Sequence, residues 1–203
     1  MQGLVRYNIV MLFSRLCEYF EKIEATPRRL EKMGLLAEVL RACGVEEVKQ
    51  AVYLSLGELK PKYERLEFNM AEKMVMRAVA RAMGRSAREI ETEYKRIGDL
   101  GEVAQRIGES ANRRDEMTVV EAYEQLAKIA GDSGQGSQER KVAGLAKLLF
   151  DAHGSEAKYL VRMVLANLRL GFSDKTILDT LSFIDKGDKS ARVTLDHLYQ
   201  IAP

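Results

Sequence analysis

Apolar residues return every three and four positions along almost the whole of this 203-residue chain, and of its three prolines only Pro27 and Pro61 interrupt them. A stripe of that period lines one face of an α-helix, whereas a half-buried strand would alternate apolar and polar positions. Val5, Ile9, Leu12, Phe13, Leu16 and Phe20 predict a first helix over 4–20, broken at Thr26-Pro27. Leu30, Met33, Leu36, Ala37 and Leu40 carry a second, for which Thr26 is a suitable N-cap, Pro27 suits the first turn and Gly44 a stop. A third runs over 45–56 toward Gly57, and a fourth over 70–83, with Met70, Met74, Val75, Ala78, Val79 and Ala82 inward and Gly84 as its end. Ser86 with Glu89, and Thr118 with Glu121, have the spacing of capping boxes and open two more helices. Asp99 starts another, and four further helices are expected over 138–152, 156–168, 174–184 and 190–201. The segment 108–117 is the least hydrophobic stretch and the best candidate for a mobile loop. With no strand pattern anywhere, the chain reads as all-α, a single helical domain of about ten to twelve helices.

Hydrophobic residues make up 46% and charged residues 31%, the balance of a folded soluble protein. The longest apolar runs fall far short of the roughly 20 residues a membrane helix needs. The apolar start is interrupted by Arg6, Asn8 and Arg15, which argues against a secretory signal and for a cytoplasmic protein. Cys17 and Cys43 lack metal or redox spacing and read as reduced core thiols, while His153 and His197 have no companions at ligand distance. Thirty-two Lys and Arg against thirty Asp and Glu give a net charge of +2, so total charge neither demands nor forbids nucleic acid.

The chain also resembles itself. Residues 31–40 (EKMGLLAEVL) lie 109 positions before 140–149 (RKVAGLAKLL), Gly44 and Glu46 match Gly154 and Glu156, and Leu56-Gly57 matches Leu170-Gly171. Helical hairpins of similar length look alike in any case, but here caps and glycines match as well as the stripe. The expectation is a pseudo-twofold pair of half-repeats at about 5–57 and 118–171. Their equivalent breaks, at 24–29 and 131–138, would then share one surface, and duplex DNA is itself locally twofold.

Both breaks carry candidate anion-binding chemistry. Ser133-Gly134-Gln135-Gly136-Ser137-Gln138 runs into a helix N-terminus, whose free amides and positive dipole end favour an anion, with Ser137 as a cap and Lys141 one turn in. A plain flexible loop before a capped helix would read the same, and the spacing is not that of a P-loop. Arg28 and Arg29 oppose the dipole of the helix they open, which calls for a compensating anion or for simple solvent exposure. Arg169 would complement the dipole at a helix end. Lys73, Arg77, Arg81, Arg85 and Arg88 form a basic stripe at steps of four, four, four and three, open to phosphate contact but better read as a solvated face or an ion-pair network. No nucleophile–base pair or paired carboxylates suggest catalysis by this chain alone.

Several ordered motifs resemble the N-terminal DNA-binding domain of ATP-dependent DNA ligases of the archaeal and eukaryotic replicative type. They are Phe20 to Thr26 with Arg29-Leu30, Tyr53 to Gly57, and Gly98 to Ala104. The later half adds Gly134 to Gln138 with Lys141, Glu156 to Leu160, and Leu168 to Gly171. The resemblance implies a helical, monomeric domain that grips nicked duplex DNA through phosphates and the minor groove, without reading sequence, in replication and repair. In that family it closes a ring with adenylation and OB-fold domains. Those domains use ATP and magnesium to move AMP to a lysine, then to the 5′-phosphate, before the 3′-hydroxyl seals the nick. By this resemblance Gly134, Gly136, Ser137, Gln138 and Lys141 would hold phosphates of one strand, and Thr26, Arg28, Arg29 and Lys32 those of the other. Arg169 and Gly171 would lie near a groove edge.

Two departures qualify the resemblance. The nucleotide-accepting Lys-x-Asp-Gly motif is missing, since Asp185-Lys186-Gly187-Asp188 scrambles its letters, so no cofactor is expected in this segment and the adenylation and OB-fold domains are taken as absent. The region after Ala104 lacks the paired Phe residues of a sliding-clamp motif, which leaves clamp binding in doubt. Localisation would be nucleoid-associated in a prokaryote, or nuclear in a eukaryote. The reading from another class is a helical-repeat scaffold for protein partners, marked by an exposed apolar groove and little response to salt.

Overall fold

The computed structural model describes residues 10–108 and 116–201. Eleven helices follow one another in the described residues: α1 (Phe13–Ala25), α2 (Arg29–Ala42), α3 (Val48–Leu56), α4 (Glu72–Ala82), α5 (Ala87–Ile97), α6 (Leu100–Gly108), α7 (Val119–Gly131), α8 (Ser137–Asp151), α9 (Gly154–Val164), α10 (Asp174–Lys186) and α11 (Arg192–Ile201). The domain is all-α. Both expected capping boxes form. The Ser86 hydroxyl accepts from the Glu89 amide at 3.2 Å while the Glu89 carboxylate accepts from the Ser86 amide at 2.7 Å, and Thr118 and Glu121 do the same at 3.1 and 2.8 Å.

Other boundaries move for local reasons. The third helix starts at Val48 instead of 45, because the buried Glu47 carboxylate turns back to accept from the amides of Gly44 (3.0 Å) and Met11 (2.9 Å). The helix expected over 156–168 stops at Val164: Ala166 adopts a left-handed φ of +51°, and the Asn167 amide bonds back to the Arg162 carbonyl at 2.8 Å. Leu170-Gly171 is therefore not a helix end like Leu56-Gly57, where Gly57 caps α3 in the left-handed conformation. The start of the first expected helix, and residues 109–115 of the expected mobile loop, lie outside the described residues.

Two three-helix units, α1–α2–α3 and α7–α8–α9, exchange contacts in matching pairs. α1 packs on α9 and α7 on α3, while α4 packs on α8 and α10 on α2. At the centre, the Phe13 amide donates to the Met117 carbonyl at 2.8 Å and the Val119 amide donates to the Met11 carbonyl at 2.9 Å. A contact made twice, with each partner replaced by its counterpart in the other unit, is what a local two-fold requires. The principal core runs through this centre, with Phe13, Leu16, Phe20, Ile23, Leu54, Leu126 and Leu145 all buried. Phe20 meets the buried Tyr159 edge-on, ring centroids 5.2 Å apart. A smaller cluster of Leu36, Leu40 and Ile177 seats α10 on α2.

The tightest approach is α6 on α9. A Cβ on Gly101 would stand 2.7 Å from the Lys158 carbonyl oxygen and 2.9 Å from Arg162 Cγ. Gly34, inside α2, has nothing within 4 Å of the equivalent point. Gly101→Ala is therefore expected to destabilise by about 1–3 kcal/mol through overpacking. Gly34→Ala should stabilise by about 0.5–1 kcal/mol by removing backbone freedom from the unfolded chain. Urea unfolding of the two variants checks both signs.

Candidate nucleic-acid interface

At the first break, α2 opens on Arg28 with no side-chain cap. Thr26 is not its N-cap: two residues upstream, its hydroxyl accepts from the Arg28 amide at 3.2 Å and donates to the Glu31 carboxylate. Arg28 Nη1 also reaches Glu31 at 2.8 Å, and with Thr26 it holds that carboxyl below the usual carboxylate range. Arg29 pairs with the buried Asp179 of α10 at 3.0 Å. Burial pushes the Asp179 carboxyl up, but hydrogen bonds from Lys189 and Arg192 outweigh it and leave it low. Lys32 donates to the Leu170 carbonyl at 2.7 Å, and its ammonium lies 3.5 Å from where a Gly171 Cβ would be. Lys32 and Gly171, 139 positions apart in sequence, are thus brought together.

At the second break, Gly134 (φ +81°) and Gly136 (φ +76°) take conformations that favour glycine. Gly136, not Ser137, occupies the N-cap position, and no side chain caps α8. Its left-handed backbone makes Ser137 the first helical residue, too far along the turn to cap. Gly134, Gly136, Ser137, Gln138 and Glu139 line a shallow hollow together with Arg77 from α4. Lys141 lies on the other side of the helix: it is buried, and its ammonium donates to the carbonyls of Phe68 (2.7 Å) and Ala130 (3.1 Å). The cation that shapes the loop is Arg140, bidentate on Asp132 and bonded to the carbonyls of Ser133 and Gln135.

The basic stripe is distributed among acidic partners. Arg77 and Arg81 share Glu139 and Arg85 pairs with Glu89, while Glu91, on the same side as Lys73 and Arg88, is paired with Lys95 at 2.8 Å.

Arg169 does not end a helix. It lies beyond α9 with φ +61°, and its guanidinium pairs with Asp99 at 3.0 Å. Asp99 also caps the start of α6, accepting from the Glu102 amide at 3.0 Å. Behind it sits Arg162, 2% exposed, bound to Asp99 at 2.9 Å and to Glu24 of α1 at 2.8 Å. Lys158 (3.0 Å) and the Tyr159 hydroxyl (3.0 Å) converge on the same Glu24 oxygen. Burial pushes the Glu24 and Asp99 carboxyls up, yet hydrogen bonds, chiefly from Arg162, more than offset it and leave both low. Burial also pushes the Tyr159 phenol far up, so it remains a donor. Sequence reasoning placed Glu24, Lys158 and Tyr159 only within motifs and missed Arg162. The available signal was a pair of cations four residues apart inside the otherwise apolar run 157–164.

With both breaks built at helix N-termini, the comparisons with known proteins decide the family. A family model described as DNA ligase N terminus matches residues 12–182. The chain belongs to the family of DNA ligase N-terminal domains. A probable DNA ligase of Dictyoglomus turgidum is 43% identical over 191 residues, covering 94% of this chain and 32% of that protein. DNA ligase 2 of Thermofilum pendens is 39% identical over 202 residues, covering 94% and 34%. A probable DNA ligase of Aquifex aeolicus is 38% identical over 193 residues, covering 94% and 33%. The chain thus spans about a third of the length of these ligases.

Asp185 to Asp188 form the end of α10 and its Gly187 cap, with Lys186 paired to Asp185 at 3.3 Å. Among the described residues no three His, Cys, Asp or Glu side chains are gathered as a metal would need. No described helix is long and apolar enough to cross a membrane.

Removing Arg162 leaves two carboxylates short of their partner, so Arg162→Met should cost about 3–5 kcal/mol. Because the folded values of Glu24 and Asp99 lie below the ordinary 4.5 and 3.8, their contribution is fully present above those values and lost as pH falls through the lower folded ones. The native domain should hold its stability from pH 7 to about 5 and lose it below. In Arg162→Met the bereft carboxyls titrate upward, so the gap between variant and native should narrow on acidification. Thermal unfolding of both proteins across pH 3–7 measures this, and a pH-independent gap would contradict it.

Proposed function

We propose that this domain binds duplex DNA at a nick, through backbone phosphates and a minor-groove edge and without reading sequence, as the DNA-gripping part of an ATP-dependent ligase. The observation that carries the reading is the matched pair of helix starts. α2 and α8 are counterparts in the two units, and each opens without a side-chain cap beside exposed arginines. In α8 the Ser137 amide donates to the Gly134 carbonyl at 3.1 Å, so it is the later first-turn amides, with the positive dipole end, that suit phosphate oxygens. Membership of the ligase N-terminal family supports the same reading.

In this reading Gly134, Gly136, Ser137 and Gln138 meet one strand, and Thr26, Arg28, Arg29 and Lys32 the other. Arg169 and Gly171 are the groove-edge candidates, held in place by Asp99 and Lys32. Lys141 serves differently from the rest: its ammonium ties the end of α7 to the segment before α4 from within. Contacts of this kind fix register along the duplex and leave base identity unread. Adenylation, nick sealing, replication and repair belong to the proposed whole enzyme, with this segment as its non-catalytic module. ATP, magnesium, the adenylation and OB-fold domains, and a cytoplasmic, nucleoid-associated location follow from that proposal.

The scaffold alternative draws on α11, which buries no residue and exposes Val193, Leu198 and Ile201. Fluorescence anisotropy on nicked and intact duplexes across a salt series separates the two readings. Affinity should fall linearly in log salt, and Arg29→Ala should reduce the slope by about 1. Lys141→Met should instead lower the melting temperature, since it strands two buried carbonyls at about 1–3 kcal/mol each, and leave the slope intact. Absence of binding even at low salt would remove the DNA reading and favour the scaffold.

A further inference from the structure

The basic stripe of α4 is not absorbed by the contacts assigned above, yet the packing of α4 on α8 brings it to the hollow beside Gly134 and Gly136. Arg77 Nη2 lies 2.5 Å from one oxygen of Glu139 and Arg81 Nη1 lies 3.7 Å from the other. All three side chains are more than half exposed. Two guanidiniums therefore face one carboxylate, and the neighbouring cations are committed elsewhere, Arg140 to Asp132 and Lys141 to carbonyls.

Glu139 is the third residue of α8. Glu31, the third residue of α2, holds the same place in the other unit and is tied to the cation of its own break, Arg28, where Glu139 is tied to cations of α4. In both units a first-turn carboxylate sits where a helix N-terminus and arginines together favour an anion.

We propose that Arg77 and Arg81 are additional phosphate contacts of this domain, and that Glu139 stands in for the phosphate until DNA displaces it. Glu31 does the same for Arg28. The inference rests on the DNA-binding reading and adds two contacts from α4 together with a self-masking carboxylate. A phosphate competes well for this place, because it offers several charge-assisted acceptor oxygens to guanidinium forks that the single carboxylate only partly fills. The masking pair is exposed, so breaking it leaves the fold intact.

The test is a double-mutant cycle on the whole domain, read by anisotropy on a nicked duplex across a salt series, with melting temperatures recorded alongside. Glu139→Gln should tighten binding about fivefold at moderate salt and steepen the log–log slope by about one. Arg77→Ala with Arg81→Ala should weaken binding and flatten the slope by between one and two. In that double-alanine background Glu139→Gln should have no effect, since nothing remains to unmask. A fivefold gain that persists there would reduce Glu139 to general repulsion of DNA and overturn the proposal. Unchanged affinity in both Glu139→Gln and the double-alanine variant, with the native domain still binding, would overturn it while leaving the DNA reading in place. A native domain that does not bind at all would sink the DNA reading itself.

Discussion

The arrangement of this domain turns on a guanidinium sealed away from water. Arg162 heads the fully buried side chains by size, and it touches carboxylates from two distant stretches, Glu24 at the end of α1 and Asp99 at the start of α6. Burying a charge is costly, and attraction between partners offsets that cost only when geometry is good and the remaining donors are satisfied. Here Nε and Nη2 go to Asp99 and Nη1 to Glu24. Few placements of α1, α6 and α9 meet those demands together, so the network acts more as a specifier of one packing than as a source of net stability. Its outer edge is Arg169, so the position of an exposed residue on an irregular loop is set by the same buried carboxylate that orders the core.

The helices were legible because their signals are local. Ser86 and Thr118 open helices at the expected positions, and Gly57 ends one in a left-handed cap. What escaped the sequence depends on partners far along the chain. Lys141 falls one turn into a helix that follows a glycine-rich loop, which suits a surface contact. It turns inward because the carbonyls of Phe68 and Ala130, 73 and 11 residues away, converge on its ammonium. The early end of α9 follows from the left-handed turn at Ala166, an alanine with no local reason to adopt it. Arg162 carries no motif, and its role exists only once three helices meet. The basic stripe was visible as a stripe, but its acidic partner Glu139 lies 62 residues beyond Arg77 and becomes a neighbour only through the packing of α4 on α8.

The charged pairs divide into two kinds with different capacities for change. Arg162 and Asp99 are 2% and 6% exposed, and separating them would leave both ions unsolvated. Arg77 with Glu139 and Arg28 with Glu31 are open to water, where such pairs are worth about 0–1 kcal/mol. The first kind cannot exchange partners on binding, whereas the second can do so at little cost. This division matches the near-neutral total charge: cations at the two helix starts are already answered by carboxylates, so the free domain carries no large uncompensated field. A duplex presents about one phosphate charge per 1.7 Å of axis, a density that isolated carboxylates cannot match. In the proposed reading, a surface of weak, exchangeable pairs on a scaffold fixed by buried ones prefers a phosphate array over itself while remaining indifferent to the bases between.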